Sequence, residues 1–272
     1  MESYARTLYL THLLREPAIR AAIAGLELPS GSRGLDAGCG IGLNTQILAE
    51  AVGPGGHVTG VDVSADFLEE ARQRAAQADL AERMTFCHGD IARFAFEDGF
   101  FDWLVCVDTL WPGAGQLGAD DQNPASVVKE LARVVRPGGR VAVLFWSAQK
   151  LLPGHPLLET RLNMTSTPNF PFKPGMKPHL HALRSLGWFR DAGLSDVGAH
   201  TSVADVSGPF TGELREAMAA TLNMFWGQAQ PEVSPEDWQQ YERLCSPDSP
   251  DFIADEPDYY AFLTYSMFFG KV

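Results

Sequence analysis

Three glycines alternate along a short run that follows an apolar segment, and an acid, Asp36, comes two residues before the first of them. The glycines are Gly38, Gly40 and Gly42. Glycine lets a backbone approach a ligand where a Cβ atom would clash. The residues that follow, 43–50, are typical of a helix, so the run predicts a strand, a loop and a helix with a ligand at the helix N-terminus.

The spacing of these glycines indicates what kind of ligand is bound. It is G-x-G-x-G, whereas dinucleotide-binding folds use G-x-G-x-x-G, whose third glycine would fall at Leu43. The Asp36 carboxylate would repel a pyrophosphate, but it suits a ligand with an ammonium group and no phosphate. S-adenosylmethionine is such a ligand, and the loop therefore favours it over NAD.

More acids stand where the next apolar segments end. The pattern predicts strands over 57–62, 84–90, 101–108 and 140–146. Ligands of open α/β sheets bind outside the carboxyl ends of the strands, and the acids at those ends are Asp36, Asp62, Asp90 and Asp108. Asp62 also lies roughly 20 residues past the glycine loop, where an acid can accept both hydroxyls of a ribose.

Taken together, the chain resembles class I S-adenosylmethionine-dependent methyltransferases, and in particular the small-molecule branch with the ubiquinone and menaquinone C-methyltransferases. The matching segments are 36–42, 61–72, 89–90, 101–102 and 136–139. The resemblance implies an α/β fold with a Rossmann-like seven-stranded sheet and helices on both faces. Strand seven would be antiparallel, and a helical cover would lie over the carboxyl ends of the strands.

The resemblance also implies roles for the residues of the loop and of the second strand. Gly38, Gly40 and Gly42 would let the loop wrap the methionine and ribose part of S-adenosylmethionine. Asp36 would hold its amino group through water, and Asp62 would take the ribose hydroxyls. The plainer interpretation of either acid is a helix N-cap.

Other cofactor contacts implied by the resemblance come from later strands and helices. Asp90 would accept a hydrogen bond from the adenine amino group beside the Ile91 backbone, and Phe67 would pack on the adenine. Val107 and Asp108 would line the methionine end. The alternatives are a simple turn residue at Asp90 and a core residue at Phe67.

Three segments outside the sheet pattern are expected to form the cover of a single methyltransferase domain, 1–272. They are the helical residues 1–29, in which Pro17 would open a second helix, and two insertions, 148–178 and 208–257. The first insertion has loop chemistry, rich in proline and glycine. Residues 30–147 form the cofactor-binding core. Further helices are predicted over 179–192, 211–226 and 235–245, and strands six and seven over 196–206 and 261–272.

The two insertions also supply the predicted wall of an acceptor site. Its apolar candidates are Phe170, Phe172, Phe225 and Trp226. Packing of the loop onto the body of the protein is the other explanation for such residues. A methyl acceptor that loses a proton can need a base. The candidates for that base are Tyr9, His12 and His181.

Composition sets limits on the partners. The chain has 272 residues, 45% hydrophobic, with a net charge of −13, which fits a globular enzyme and disfavours a nucleic-acid substrate. Its four cysteines lack metal-site spacing, so no metal is expected. No apolar run reaches the ~18 residues of a membrane span, and the N-terminus lacks the basic start of a signal peptide. The sequence thus predicts a cytoplasmic protein with a small-molecule partner, and leaves a homodimer open.

The function predicted from these features is methyl transfer from S-adenosylmethionine to a small, largely apolar metabolite, on oxygen or carbon. The cofactor is already activated, so the protein chiefly has to align the acceptor and exclude water. The alternative is a regulatory or assembly protein that binds the cofactor on the same scaffold without methyl transfer.

Overall fold

The computed structural model describes residues 2–110, 123–166 and 177–272. Its strands are β1 (Arg33–Ala37), β2 (His57–Asp62), β3 (Met84–His88), β4 (Phe101–Val107), β5 (Val135–Lys150), β6 (Ser195–Ser207) and β7 (Tyr260–Lys271). Its α-helices are α1 (Glu2–Ala24), α2 (Leu43–Ala51), α3 (Ala65–Gln77), α4 (Pro124–Arg133), α5 (Pro156–Asn163), α6 (Ser185–Asp191), α7 (Gly212–Trp226) and α8 (Pro235–Cys245).

The seven strands form one sheet in the order β3-β2-β1-β4-β5-β7-β6. The first five pair in parallel. Strand β7 runs the other way, since residue 272 pairs with 139 and residue 264 lies beside 147. The predicted Rossmann-like α/β fold with an antiparallel seventh strand is confirmed.

The core of the sheet explains why these segments form strands. The central strands have apolar residues on both faces, as parallel strands covered by helices require. Leu35, Leu104 and Val143 are fully buried. Gly34 on β1 lets the Trp103 ring of β4 pack directly against its backbone, because a Cβ atom there would lie 2.0 Å from that ring. Tight packing of this kind fixes where the carboxyl ends of β1 and β4 stand relative to each other.

Three expectations about local structure were wrong. Helix α1 runs through Pro17 as one helix, because Leu10, Leu14 and Ala18 continue one buried face at helical spacing. The first insertion is not all loop, since it contains α5. Pro156 begins that helix, at a position where the backbone amide makes no hydrogen bond within the helix, so the missing N–H of proline costs nothing there.

The third difference concerns the helix expected over 179–192. Only α6 is α-helical there, preceded by two short 3₁₀ turns, Pro178–Leu180 and Ala182–Arg184. His181 separates them because its backbone is extended, and its Nδ1 accepts a hydrogen bond from the Leu183 amide at 3.1 Å. The side chain therefore caps the second turn and interrupts the helix.

The described residues divide into two compact units. One is drawn from Met1–Ala18, Ser147–Gly175 and Val203–Thr264, which brings together the start of α1 and both insertions. The other is drawn from Ile19–Trp146, Met176–Ser202 and Tyr265–Val272, and holds the parallel strands with their helices. That the first unit covers the carboxyl ends of the strands remains a proposal.

Candidate functional site

The glycine loop between β1 and α2 takes a backbone path that side chains would obstruct. Gly40 has a φ of +52°, and a Cβ atom built on it would meet nothing within 4 Å. The space in front of it is therefore open. Gly38 has no such open space, because a Cβ atom built on it would lie 2.2 Å from the side chain of Thr109. Gly42 is the N-cap of α2.

Asp62, at the end of β2, is held by the backbone around it. Its Oδ2 accepts a hydrogen bond from the Gly40 amide at 2.8 Å, and its Oδ1 accepts one from the Ser64 amide at 2.9 Å. Each carboxylate oxygen has two lone pairs, so both can accept a second donor. The geometry places a half-buried, preoriented acid beside the open face of Gly40.

Asp36, at the end of β1, is fully buried. Its Oδ2 accepts a hydrogen bond of 2.6 Å from Thr45 Oγ1, and its Oδ1 has no hydrogen-bond partner among the described residues. Burial raises the pKa of this carboxyl to about 7; the Thr45 hydroxyl opposes the rise, and the charge of Asp62 adds to it. A buried oxygen without a donor is costly, and a ligand ammonium group would provide the missing donor.

Asp90 and Ile91 form the turn that follows β3. Asp90 Oδ1 accepts from the Ala92 amide at 2.8 Å, and its carbonyl accepts from the Arg93 amide at 3.1 Å. Ile91 is buried. Phe67 is half-buried in the first turn of α3. The backbone of Asp90 therefore forms a turn, as the alternative interpretation expected. The contacts of Asp90 and Phe67 with adenine stay predictions.

Asp108 follows β4 with a φ of +50°, a left-handed conformation that is uncommon outside glycine. Its Oδ1 accepts from the Trp146 amide at 2.8 Å, and its Oδ2 accepts a short hydrogen bond from the Tyr265 hydroxyl. The preceding residue, Val107, is buried. Sequence reasoning missed Tyr265, which lies 157 residues further along the chain. The one available signal was the aromatic character of the seventh strand.

The three candidate bases have structural partners. The Tyr9 hydroxyl donates to Glu213 Oε2 at 3.2 Å. His12 is buried on α1, with its Nε2 3.8 Å from Glu16 Oε2. His181 belongs to the other compact unit, and partial burial lowers the pKa of its imidazole. Their catalytic roles remain predictions.

The predicted acceptor wall is described only in part. Phe170 and Phe172 lie outside the described residues. Phe225 and Trp226, at the end of α7, are both buried, and Trp226 Nε1 donates to Asn163 Oδ1 at 3.0 Å. The two rings also pack against each other, with their centroids 6.1 Å apart, and their contact with an acceptor stays a prediction.

Two features are absent from the described part of the chain. Across residues 2–110, 123–166 and 177–272, no helix combines the length and apolar character that crossing a bilayer requires. Within the same ranges, His, Cys, Asp and Glu side chains nowhere group in threes in a way that could hold a metal ion.

Comparison with known sequences points to one family. A family model described as a methyltransferase domain matches residues 28–172. The demethylmenaquinone methyltransferase of Staphylococcus aureus strain JH9 is 38% identical over 123 residues, which are 45% of this chain and 46% of that protein. The match thus spans about half the length of this curated relative.

Solved structures resemble the chain over most of its length. YcgJ of Bacillus subtilis matches with a TM-score of 0.54 at 18% identity, covering 94% of this chain and 98% of its own. Haemonchus contortus phosphoethanolamine N-methyltransferase 2, in complex with S-adenosyl-L-methionine, matches with a TM-score of 0.51 at 18% identity, covering 93% and 51%. At such identities these likenesses show the fold alone.

Proposed function

Because the chain belongs to the methyltransferase domain family, within the class I S-adenosylmethionine-dependent methyltransferases, we propose that it transfers a methyl group to a small, largely apolar metabolite, on oxygen or carbon. The observation that carries the proposal is the arrangement of Gly40, Asp62 and Asp36. Together they offer an open backbone face, a preoriented acid and a buried carboxylate oxygen without a partner.

These residues fit the parts of S-adenosylmethionine. Asp62 would accept the ribose hydroxyls with the lone pairs that Gly40 and Ser64 leave unused. Asp36 Oδ1 would accept from the amino group, directly or through water. The open side of Gly40 would admit the ligand at the N-terminus of α2. The bound cofactor supplies the methyl group as an activated sulfonium.

The protein's part in the reaction is then alignment and exclusion of water. Methyl transfer is an in-line displacement, so holding the acceptor atom on the line of the breaking bond removes much of the entropic barrier. A hydroxyl or carbon acceptor must also lose a proton, and Tyr9, His12 and His181 are the proposed places for it to go. Each would have to leave or share its present partner.

The acceptor class follows from charge and from the predicted wall. A net charge of −13 disfavours polyanions such as RNA. Phe170, Phe172, Phe225 and Trp226 are apolar, and an apolar wall with few polar groups suits a small hydrophobic molecule. An aromatic or terpenoid-like metabolite fits both features.

Two measurements test the proposal in sequence. Calorimetric titration should show binding of S-adenosylhomocysteine and none of NAD; NAD binding alone would refute the cofactor assignment. Incubation with methyl-labelled cofactor and a panel of phenols, quinols and terpenoid acids should then transfer label to a panel member. Binding without transfer to any acceptor class would favour the regulatory alternative, and preferential labelling of RNA or protein lysine would refute the acceptor class.

A further inference from the structure

Tyr265 is a fully buried tyrosine whose hydroxyl donates to a carboxylate at the edge of the candidate site. It lies on β7, and the Asp108 carboxylate that it contacts follows β4. Strand β5 lies between those two strands, and its Trp146 amide donates to the other oxygen of the same carboxylate. Two donors from two strands therefore fix the position of one acidic group.

This acidic group lies next to the glycine loop. Thr109, the residue after Asp108, donates from its Oγ1 to the Gly38 carbonyl at 3.2 Å. The buried thiol of Cys106 is affected by both Asp36 and Asp108. Its pKa is raised to about 12 mainly by burial, and the charges of these two acids add to the rise. Asp36 lies on β1, and Asp108 directly follows β4, which is the neighbour of β1 in the sheet.

The hydrogen bonds indicate what Asp108 is suited to do. A carboxylate that accepts two hydrogen bonds is stabilised in its ionised form. Such a group is a poor proton acceptor and a good fixed negative charge. S-adenosylmethionine carries two positive charges on one short chain, an ammonium and a sulfonium. The product of methyl transfer, S-adenosylhomocysteine, keeps the ammonium and loses the sulfonium charge.

Building on the proposed function, we propose that Tyr265 is a positioning residue that holds Asp108 as the fixed negative charge facing the sulfonium, so that the site prefers the cofactor, whose sulfur is charged, to the product, whose sulfur is not. Asp36 serves the ammonium group, which both ligands share. Asp108 serves the charge that only the methyl donor carries. The preference promotes exchange of product for fresh cofactor.

The test is calorimetric titration of S-adenosylmethionine and S-adenosylhomocysteine into the wild type, Asp108→Asn, Tyr265→Phe and the double variant. Asp108→Asn should weaken binding of S-adenosylmethionine by about tenfold, as expected for losing one nearby charge in a partly screened site, and leave S-adenosylhomocysteine within about twofold. Tyr265→Phe should give a smaller loss in the same direction. The double variant should bind like Asp108→Asn, because Tyr265 acts only through the carboxylate.

Tyr259→Phe provides a matched control. Tyr259 is also buried, but its hydroxyl donates to the Leu151 carbonyl at 2.9 Å, within the other compact unit. Its removal should lower the melting temperature and leave the affinity ratio of the two ligands unchanged. A control that changes this ratio as much as Tyr265→Phe does would overturn the inference.

The remaining outcomes separate this inference from the proposed function. Equal weakening of both ligands by Asp108→Asn, or a further effect of Tyr265→Phe in the Asp108→Asn background, would overturn the inference and leave methyl transfer intact. The expected affinity ratios without transfer of label to any acceptor would support the inference and refute the proposed catalysis. A wild type that binds neither ligand would refute both.

Discussion

Thr45 donates a hydrogen bond of 2.6 Å to Asp36, and both side chains are fully buried. Thr45 belongs to the first turn of α2, so the helix that begins at the glycine loop also orients the acid that precedes the loop. The bond satisfies one carboxylate oxygen and leaves the other without a donor among the described residues. The acid is thus held ready for a ligand at a cost to the folded protein.

That cost should depend on pH. The pKa of Asp36 rises from 3.8 to about 7 because of burial, so the unfolded chain gives up this proton more easily than the folded one. Protonated Asp36 therefore contributes to the stability of the folded protein. This contribution is fully present below pH ~4, and it is lost as pH rises through about 7. The rise corresponds to roughly 4 kcal/mol.

Asp36→Asn should remove this dependence. As pH rises from 4 to 8, the free energy of unfolding of the ligand-free wild type should fall relative to that of the variant by up to roughly 4 kcal/mol. Urea denaturation across that range measures the difference, and titrations common to both proteins cancel. A difference that stays constant with pH would contradict the raised pKa.

Ligand affinity should show the opposite trend. The ammonium group of S-adenosylhomocysteine needs an ionised Asp36, and the pKa of this acid is about 7 in the ligand-free protein. Binding should therefore strengthen by about tenfold from pH 6 to pH 8. Asp36→Asn should bind weakly with no such trend. Calorimetry at three pH values measures this, and a flat profile for the wild type would show that Asp36 does not contact the ammonium group.

Asp62→Ala should weaken binding of S-adenosylhomocysteine by roughly 1.5–3 kcal/mol, because hydrogen bonds to a charged acceptor are lost. Asp66→Ala is the matched control, since Asp66 is an exposed acid four residues away in the first turn of α3. The control should bind like the wild type. Equal affinity of Asp62→Ala and the wild type would exclude the ribose assignment.

Gly40→Ala and Gly138→Ala form a second matched pair. Both glycines have positive φ, +52° and +77°, and a Cβ atom at either would meet nothing within 4 Å. Each substitution should therefore cost roughly 1–2 kcal/mol of stability through backbone strain alone. Only Gly40→Ala should also weaken cofactor binding, by about tenfold or more, because its methyl group would occupy the ligand's space. Similar binding by both variants would disprove the assignment of that space.

Phe172→Ala tests the acceptor wall. It should raise the Michaelis constant for an apolar acceptor and leave binding of S-adenosylhomocysteine unchanged. Leu157→Ala, at a highly exposed position of α5, is the control and should change neither. Trp226 is less suited to this test because truncating a fully buried tryptophan costs about 3–5 kcal/mol of stability. Acceptor kinetics unaffected by Phe172→Ala would remove Phe172 from the proposed wall.

Local patterns in the sequence predicted much of the fold. Strand β2 and helix α8 have the predicted bounds, because a short apolar run and a Ser-Pro start are strong local signals. The continuous α1 and the helix α5 were missed where proline suggested a break. In both cases a single proline was outweighed by the packing or position of the helix around it.

In the candidate site, too, the sequence predicts the contacts between residues that are near in the chain and misses those between distant ones. The Gly40–Asp62 hydrogen bond joins residues 22 positions apart in one strand–loop–helix–strand unit, so the motif spacing carries it. The Asp108–Tyr265 bond spans 157 positions, and its partner is chosen by the order of strands in the sheet. No local pattern contains that order.

The position of β7 between β5 and β6 imposes an order of assembly. The parallel strands β1 to β5 can pair as they are synthesised, each through a local crossover. Strand β6 is made well before β7, yet β7 is its only neighbour in the sheet that the structure describes. Strand β6 can therefore join the sheet only after β7 has been made. Because such non-local pairings form slowly, the edge of β5 stays unpaired until β7 reaches it.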